Sequence, residues 1–235
     1  MEGSLLNKLT KFIWAMFKLN LLFAASNTVL IIAVVVLPFH LYTFPAYIIG
    51  AFLLIASLLA LMQTLKRYND TESSSLMRLY IRCYREEFID SLLFSLWYIL
   101  GALFLLGAFF VLQFSTNQIL FIPLYFILAI ILYVHFAYAL LIRVNYIITI
   151  KSTWKLGFYC ISKHSLCALF IFGGSMILGA LMYNFPVLIF LGAFPVAAYI
   201  LTAGTKKIFD NISIKLNLNM EEKTNESEND GKQDL

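Results

Sequence analysis

The chain has 235 residues, 61% of them hydrophobic and 13% charged, with a formal net charge of +4 and a mean hydropathy of +0.85. Soluble domains are about half apolar and about a quarter charged, so this composition excludes a soluble globular domain. It predicts an all-α, polytopic integral membrane protein, multi-pass in the cell membrane, with the lipid bilayer as its first partner and no nucleic acid.

The opening Met1-Glu2-Gly3 lacks the charged start, short apolar run and small-residue cleavage site of a signal peptide, so the first apolar segment is expected to stay as a span. About 20 apolar residues cross a bilayer core. On that measure the first span is placed at 19–37, with Lys18 snorkelling to the inner headgroups, despite Ser26 and Asn27 within it. A turn without charge, between Pro38 and Pro45, leads to a second span at 46–65 that stops at Lys66 and Arg67. The third span is placed at 91–113, an uncharged turn at 114–118, and the fourth span at 119–142, ending before Arg143.

From 166 to 203 the chain stays apolar for longer than one helix needs, and Asn184-Phe185-Pro186 sits near its middle. The residue before a proline is pushed away from helix, so this run divides into spans at 166–183 and 186–203. One long kinked helix, giving five spans, is the alternative. Charge separates the two: with six spans all 17 Lys and Arg fall on one side, as the positive-inside rule requires. Five spans would export Lys206, Lys207 and Lys215. The expected plan is therefore six transmembrane helices with both termini cytoplasmic, in a transmembrane domain over 1–219.

Residues 220–235 are different material. Six acidic residues face two lysines there, and Met220 and Leu235 are the apolar residues of the segment. It buries too little apolar surface to offset chain entropy, which predicts a disordered acidic tail of net −4. Removing that from the chain's +4 leaves +8 on the rest.

Two inner connections read as amphipathic helices. In 66–90, Arg78, Arg82 and Arg85 recur at helical spacing, opposite Met77, Tyr80, Ile81, Tyr84 and Phe88, and Ser73 to Ser75 are placed to cap the helix. Such a helix suits the inner interface. In 151–163, Lys155 and Lys163 mark the polar side, and Trp154, Phe158 and Ile161 the apolar side. These five basic residues are the candidate contacts to lipid or to a partner. A shift of 77 positions superposes Lys66 on Arg143, Arg78 on Lys155 and Cys83 on Cys160, the layout expected of an internal duplication.

Four stretches carry a family resemblance: MFKLNLLF from Met16, the turn with Pro45 and Gly50, LMRLYIRCYREEFIDSLL from Leu76, and LIRVNYIITIKSTWKLGFYCISKHSL from Leu141. Together they resemble the YesL-like family of uncharacterised bacterial membrane proteins over about 8–207. The resemblance implies five or six spans and no established activity, and its members' gene neighbourhoods imply an accessory part in carbohydrate uptake. Family members break the chain after the Leu-Asn start with Leu-Pro and Gly-Pro, whereas 24–38 here runs on apolar, which leaves the end of the first span open.

No P-loop, GxSxG, HExxH or intramembrane aspartate pair is present, so no enzymatic activity, cofactor or metal is expected. Cys83, Cys160 and Cys167 form no CxxC pair and fall on the expected cytoplasmic side, where thiols stay reduced. Asn20 and His135 are candidate members of an intramembrane polar site, since an ionisable group at membrane depth is a functional hypothesis. A bond to a neighbouring helix is the blander reading of each, as it is for Asn27, Gln63, Gln113 and Asn184. Gly173, Gly174, Gly179, Gly192 and Ala193 are expected to permit close helix packing, or else dimerisation. Two functions follow: an accessory or regulatory membrane protein that touches lipid or a transporter complex, or a small-solute binding or transport subunit. A homodimer is the other partner considered.

Overall fold

The computed structural model describes residues 2–38, 40, 42–70, 76–114, 118–146, 148–185, 188, 192–205 and 209. Those residues form eight helices and no strand. In chain order they are α1 (Glu2–Ser26), α2 (Thr28–Val36), α3 (Phe44–Asp70), α4 (Leu76–Gln113), α5 (Gln118–Asn145), α6 (Ile150–Lys163), α7 (Ser165–Asn184) and α8 (Ala193–Thr205). Helices α3, α4, α5 and α7 are each long and apolar enough to cross a membrane, and α1 with α2 makes a fifth if a bent pair counts as one span. The chain is a helical, multi-pass membrane protein. Its exposed apolar side chains, Phe104, Val111 and Phe170 among them, form the surface that only a lipid environment tolerates over such a length.

The first span is not one rod. Helices α1 and α2 meet at 68°, and the cause lies in three consecutive polar residues. Ser26 Oγ donates to the Leu22 carbonyl, Asn27 Nδ2 to the Phe23 carbonyl and Thr28 Oγ1 to the Ala25 carbonyl. Side chains that bond back to the preceding turn compete with the backbone ladder and bend the helix. Asn27 Nδ2 also donates to Ser57 Oγ on α3 at 2.7 Å, which pins the corner to its neighbour. Beyond the corner α2 runs back along α3. Tyr47 donates to the carbonyls of Ala33 and Leu37, and Gly50 is so close to Leu30 that a Cβ would lie 2.8 Å from its Cδ1. Thr43 closes the connecting turn by donating to the Pro38 carbonyl and accepting from the His40 amide.

The first amphipathic connection differs from its expected form. Residues 76–90 are helical, but they are the opening of α4, 38 residues without interruption and about 57 Å long, rather than a separate helix lying in the interface. No proline or glycine interrupts the run before Gly101. Its second face also differs from expectation: Leu79, Tyr80 and Cys83 are buried while Met77 and Ile81 are exposed. The second connection is a helix of its own, α6, capped by Thr149 Oγ1 accepting from the Ser152 amide. It ends at His164 (φ −122°, ψ 48°), whose carbonyl accepts from the Tyr138 hydroxyl. The two stretches related by the 77-residue shift are thus one continuous helix in the first case and two helices in the second.

Packing is concentrated at one end. The buried side chains of α3 fall within 55–65, those of α4 within 76–99 and those of α5 within 134–144, with Leu19, Leu59, Leu61, Phe94, Tyr138 and Ile142 at the centre. On α1 the buried residues Ala15, Met16, Leu19, Asn20 and Phe23 form one stripe. Toward the opposite end α3, α4 and α5 diverge around an apolar cleft of about 460 Å³, lined by Ala51, Leu54, Tyr98, Ala102 and Phe136 among others. Helix α7 is peripheral, with 6% of its apolar window buried. Gly173, Gly174 and Gly179 correct the packing expectation: a Cβ there meets no described atom within 4 Å. Gly192, just before α8, has φ +104° and lies at ordinary contact distance from the Met16 carbonyl, and Phe194 and Tyr199 of α8 pack on Phe23 and Phe12.

Of the six spans expected, 46–65, 119–142 and 166–183 lie within α3, α5 and α7, and 91–113 is the later part of α4. Within the sixth, 186–203, the structure describes α8, which is shorter than the helices that can cross a membrane alone, and most of 186–191 lies outside the described residues, as do Ser73 to Ser75 and the acidic tail.

Candidate functional site

Among the described residues every Lys and Arg of α3 to α7 sits where α3 ends, α4 begins, α5 ends or α6 runs. Contacts across these elements show that this is one place, the basic end of the bundle. Lys66 Nζ donates to the Val144 carbonyl at 3.1 Å, and Arg67 pairs with Glu86 at 2.9 Å, both of them about half exposed. Arg143 is far more enclosed. Its side chain is 8% exposed, its Nη2 lies 3.4 Å from Glu87 and 3.8 Å from Asp90, and its guanidinium stands 5.4 Å from the Phe94 ring centre.

These groups surround a cavity of about 340 Å³, lined by Gln63, Lys66, Arg67, Glu87, Asp90 and Arg143 together with the segment that leaves α5. Two residues of its lining carry a buried atom without a protein partner, the acceptor Gln63 Oε1 and the donor Arg143 Nε. The sequence had marked Gln63 as polar and Lys66 and Arg143 as span ends, but not the acids that meet them. A signal was present. Outside the tail only seven acidic residues occur, and three of them are Glu86, Glu87 and Asp90, one helical turn apart at the level where an arginine leaves the membrane.

The candidate contact arginines occupy the adjoining part of α4. Arg78, Arg82 and Arg85 are all exposed and with Ile81 and Glu86 border a shallow groove. The opposite face of the same turns is fixed, Tyr80 donating to Ser26 Oγ at 3.0 Å and Cys83 fully buried. Lys155 and Lys163 are exposed on α6, Lys163 lying 5.9 Å from the Tyr159 ring centre. On the inner face of α6 burial pushes the Cys160 thiol up to about 11, which leaves it protonated and unreactive at neutral pH.

His135 is 2% exposed and held at both ring nitrogens. The Trp154 carbonyl can only accept, so Nε2 carries the proton and donates to it at 3.2 Å. Nδ1 then accepts from the Tyr98 hydroxyl at 2.9 Å. Phe158 and Trp154 cover the ring with centres 4.3 and 5.0 Å away, and Gly157 leaves the space that the ring fills. This histidine clamps α6 onto α4 and α5. Compared with known proteins, the chain matches no family model, no curated protein and no solved structure.

Asn20, the other member of the expected intramembrane site, is buried on α1, and α1 packs on α3, α4 and α2. Both ring nitrogens of His135 are taken by Tyr98 and Trp154, so His135 makes no hydrogen bond to Asn20. Among the described residues no group of three or more His, Cys, Asp or Glu is placed to hold a metal ion.

Proposed function

We propose that the chain is a non-enzymatic accessory or regulatory membrane protein that uses the basic face of α4 to engage a partner at the cytoplasmic surface. One observation carries this reading: Arg78, Arg82 and Arg85 are exposed on a helix whose other face is locked into the core at Leu79, Tyr80 and Cys83. Arg143 meets α4 at Glu87 and Asp90, and the twelve residues from 76 to 87, about 18 Å of helix, pack on the bundle through Leu76, Leu79, Tyr80 and Cys83. A cationic face held in place in this way is suited to an acidic protein surface as well as to lipid headgroups.

Six spans with both termini cytoplasmic, in the cell membrane, belong to the same proposal. The gathering of the described Lys and Arg of α3 to α7 at one end supports the orientation. Membership of the YesL-like family and a role linked to carbohydrate uptake are part of the same proposal, and the sequence resemblance is their support. The geometry favours contact over conduction, because His135 has both ring nitrogens engaged. The test is purification of the full chain and of the double variant Arg78→Glu/Arg82→Glu from its host membrane. The variant should insert normally and lose co-purifying transport components, and a strain carrying it should show the growth profile of a deletion across carbon sources. Unchanged partners and unchanged growth would overturn the proposal.

A further inference from the structure

The cavity at the basic end is independent of the α4 contact face and has its own chemistry. Its volume of about 340 Å³ is at the lower end of small-molecule sites and roughly tenfold the share of one water. Gln63 is 7% exposed and the Arg143 side chain 8%, yet Gln63 Oε1 accepts from no protein group and Arg143 Nε donates to none. Buried polar atoms left in that state are uncommon and call for a partner. An occupant that reaches these two side chains would donate to Gln63 and accept from Arg143.

Charge narrows the occupant further. The lining carries Lys66, Arg67 and Arg143 against Glu87 and Asp90. A simple anion would face the two carboxylates, and a simple cation the three basic groups. A zwitterion satisfies both sets. The cavity also lies at the ends of the apolar helices α3 and α5, where a span of this kind meets lipid headgroups. We infer that the pocket between Gln63, Glu87 and Arg143 binds a phosphoethanolamine-type zwitterion, with its phosphate on Arg143 and Lys66 and its ammonium on Gln63, Glu87 and Asp90. The headgroup of a membrane phospholipid and a free phosphoethanolamine share this chemistry.

Native mass spectrometry of the full chain in detergent, with phosphatidylethanolamine, phosphatidylcholine or phosphatidylglycerol added, tests the assignment. Choline has the same phosphate and a fixed cation but no N–H to give Gln63, and glycerol has no cation. Phosphatidylethanolamine should be retained in preference to both. Gln63→Leu, which keeps size and removes the acceptor, should lower its retention about tenfold, the equivalent of one charge-assisted hydrogen bond. Arg143→Lys, which keeps the charge and removes Nε–H, should do the same, with thermal unfolding of each variant as the control for folding. Displacement by soluble phosphoethanolamine would assign the site to the free compound, and resistance to displacement would assign it to the lipid. Equal retention of the three lipids, preference for phosphatidylglycerol, or retention unchanged in Gln63→Leu would overturn the inference.

Discussion

At the scale of single residues, the His135 clamp shows how a position that reads as a weakness in sequence is required in space. Glycine inside a helix costs about 1 kcal/mol relative to alanine, so Gly157 in α6 looks dispensable. A Cβ at 157 would lie 2.8 Å from His135 Nε2, and that ring cannot swing away because both nitrogens are bonded. The steric term wins over the propensity gain. Gly157→Ala is expected to destabilise the protein by about 1–3 kcal/mol, the usual cost of overpacking, measured by thermal unfolding in detergent. Adding His135→Ala should return part of that loss, giving a coupling that a double-mutant cycle reads directly. An alanine variant as stable as the parent would show that α6 does not rest on the histidine. The sequence singled out His135 as an ionisable group at membrane depth, but its partners lie 37 and 19 positions away, on other helices and beyond the reach of any local spacing.

At the scale of elements, span ends were legible and helix faces were not. Basic residues stop spans for electrostatic reasons that act locally, so Lys66 and Arg143 placed the ends of α3 and α5 within a few residues. Lipid and protein interior are equally apolar, and a membrane helix therefore carries no periodic signal for its packed face. That is why neither the concentration of the core at the basic end nor the open glycines of α7 could be read in advance. The corner at Asn27 had a visible signal in Ser26-Asn27-Thr28, but its strength depends on Ser57, thirty residues on. Close packing of α2 on α3 just beyond this corner is testable at Gly50. A Cβ there would lie 2.9 Å from Leu30 Cβ and 3.0 Å from its backbone Cα, so only separation of the helices relieves it. Gly50→Ala should cost about 1–3 kcal/mol, and unlike the clamp it should not be rescued by truncating its neighbour, since Leu30→Ala keeps both offending atoms. Full rescue by Leu30→Ala would place the contact in the leucine side chain alone and refute the backbone approach.

At the scale of the whole molecule, the arrangement of charge makes a statement about orientation that the fold alone does not. Helix α8 has 13 residues, about 20 Å, which is short of a hydrocarbon core of about 30 Å. The seven residues 186–192, at up to about 3.3 Å each, have ample reach for the remainder, as a broken span like α1 with α2 would need. Six spans return the C-terminus to the basic end, and five would leave it opposite. Three single cysteines separate these outcomes, introduced as Tyr42→Cys at the exposed turn before α3, as Lys151→Cys at the exposed start of α6, and as a cysteine appended after Leu235. The unsubstituted chain, with its own Cys83 and Cys160 buried and Cys167 half-buried, sets the background. In intact cells a membrane-impermeant maleimide should label the first site and leave the second and third unlabelled until the cells are opened. Labelling of Lys151→Cys from outside would invert the orientation and remove the cytoplasmic contact face, because Arg78, Arg82 and Arg85 share its side of the bundle. Labelling of the appended cysteine alone with Tyr42→Cys would keep that face and reduce the spans to five.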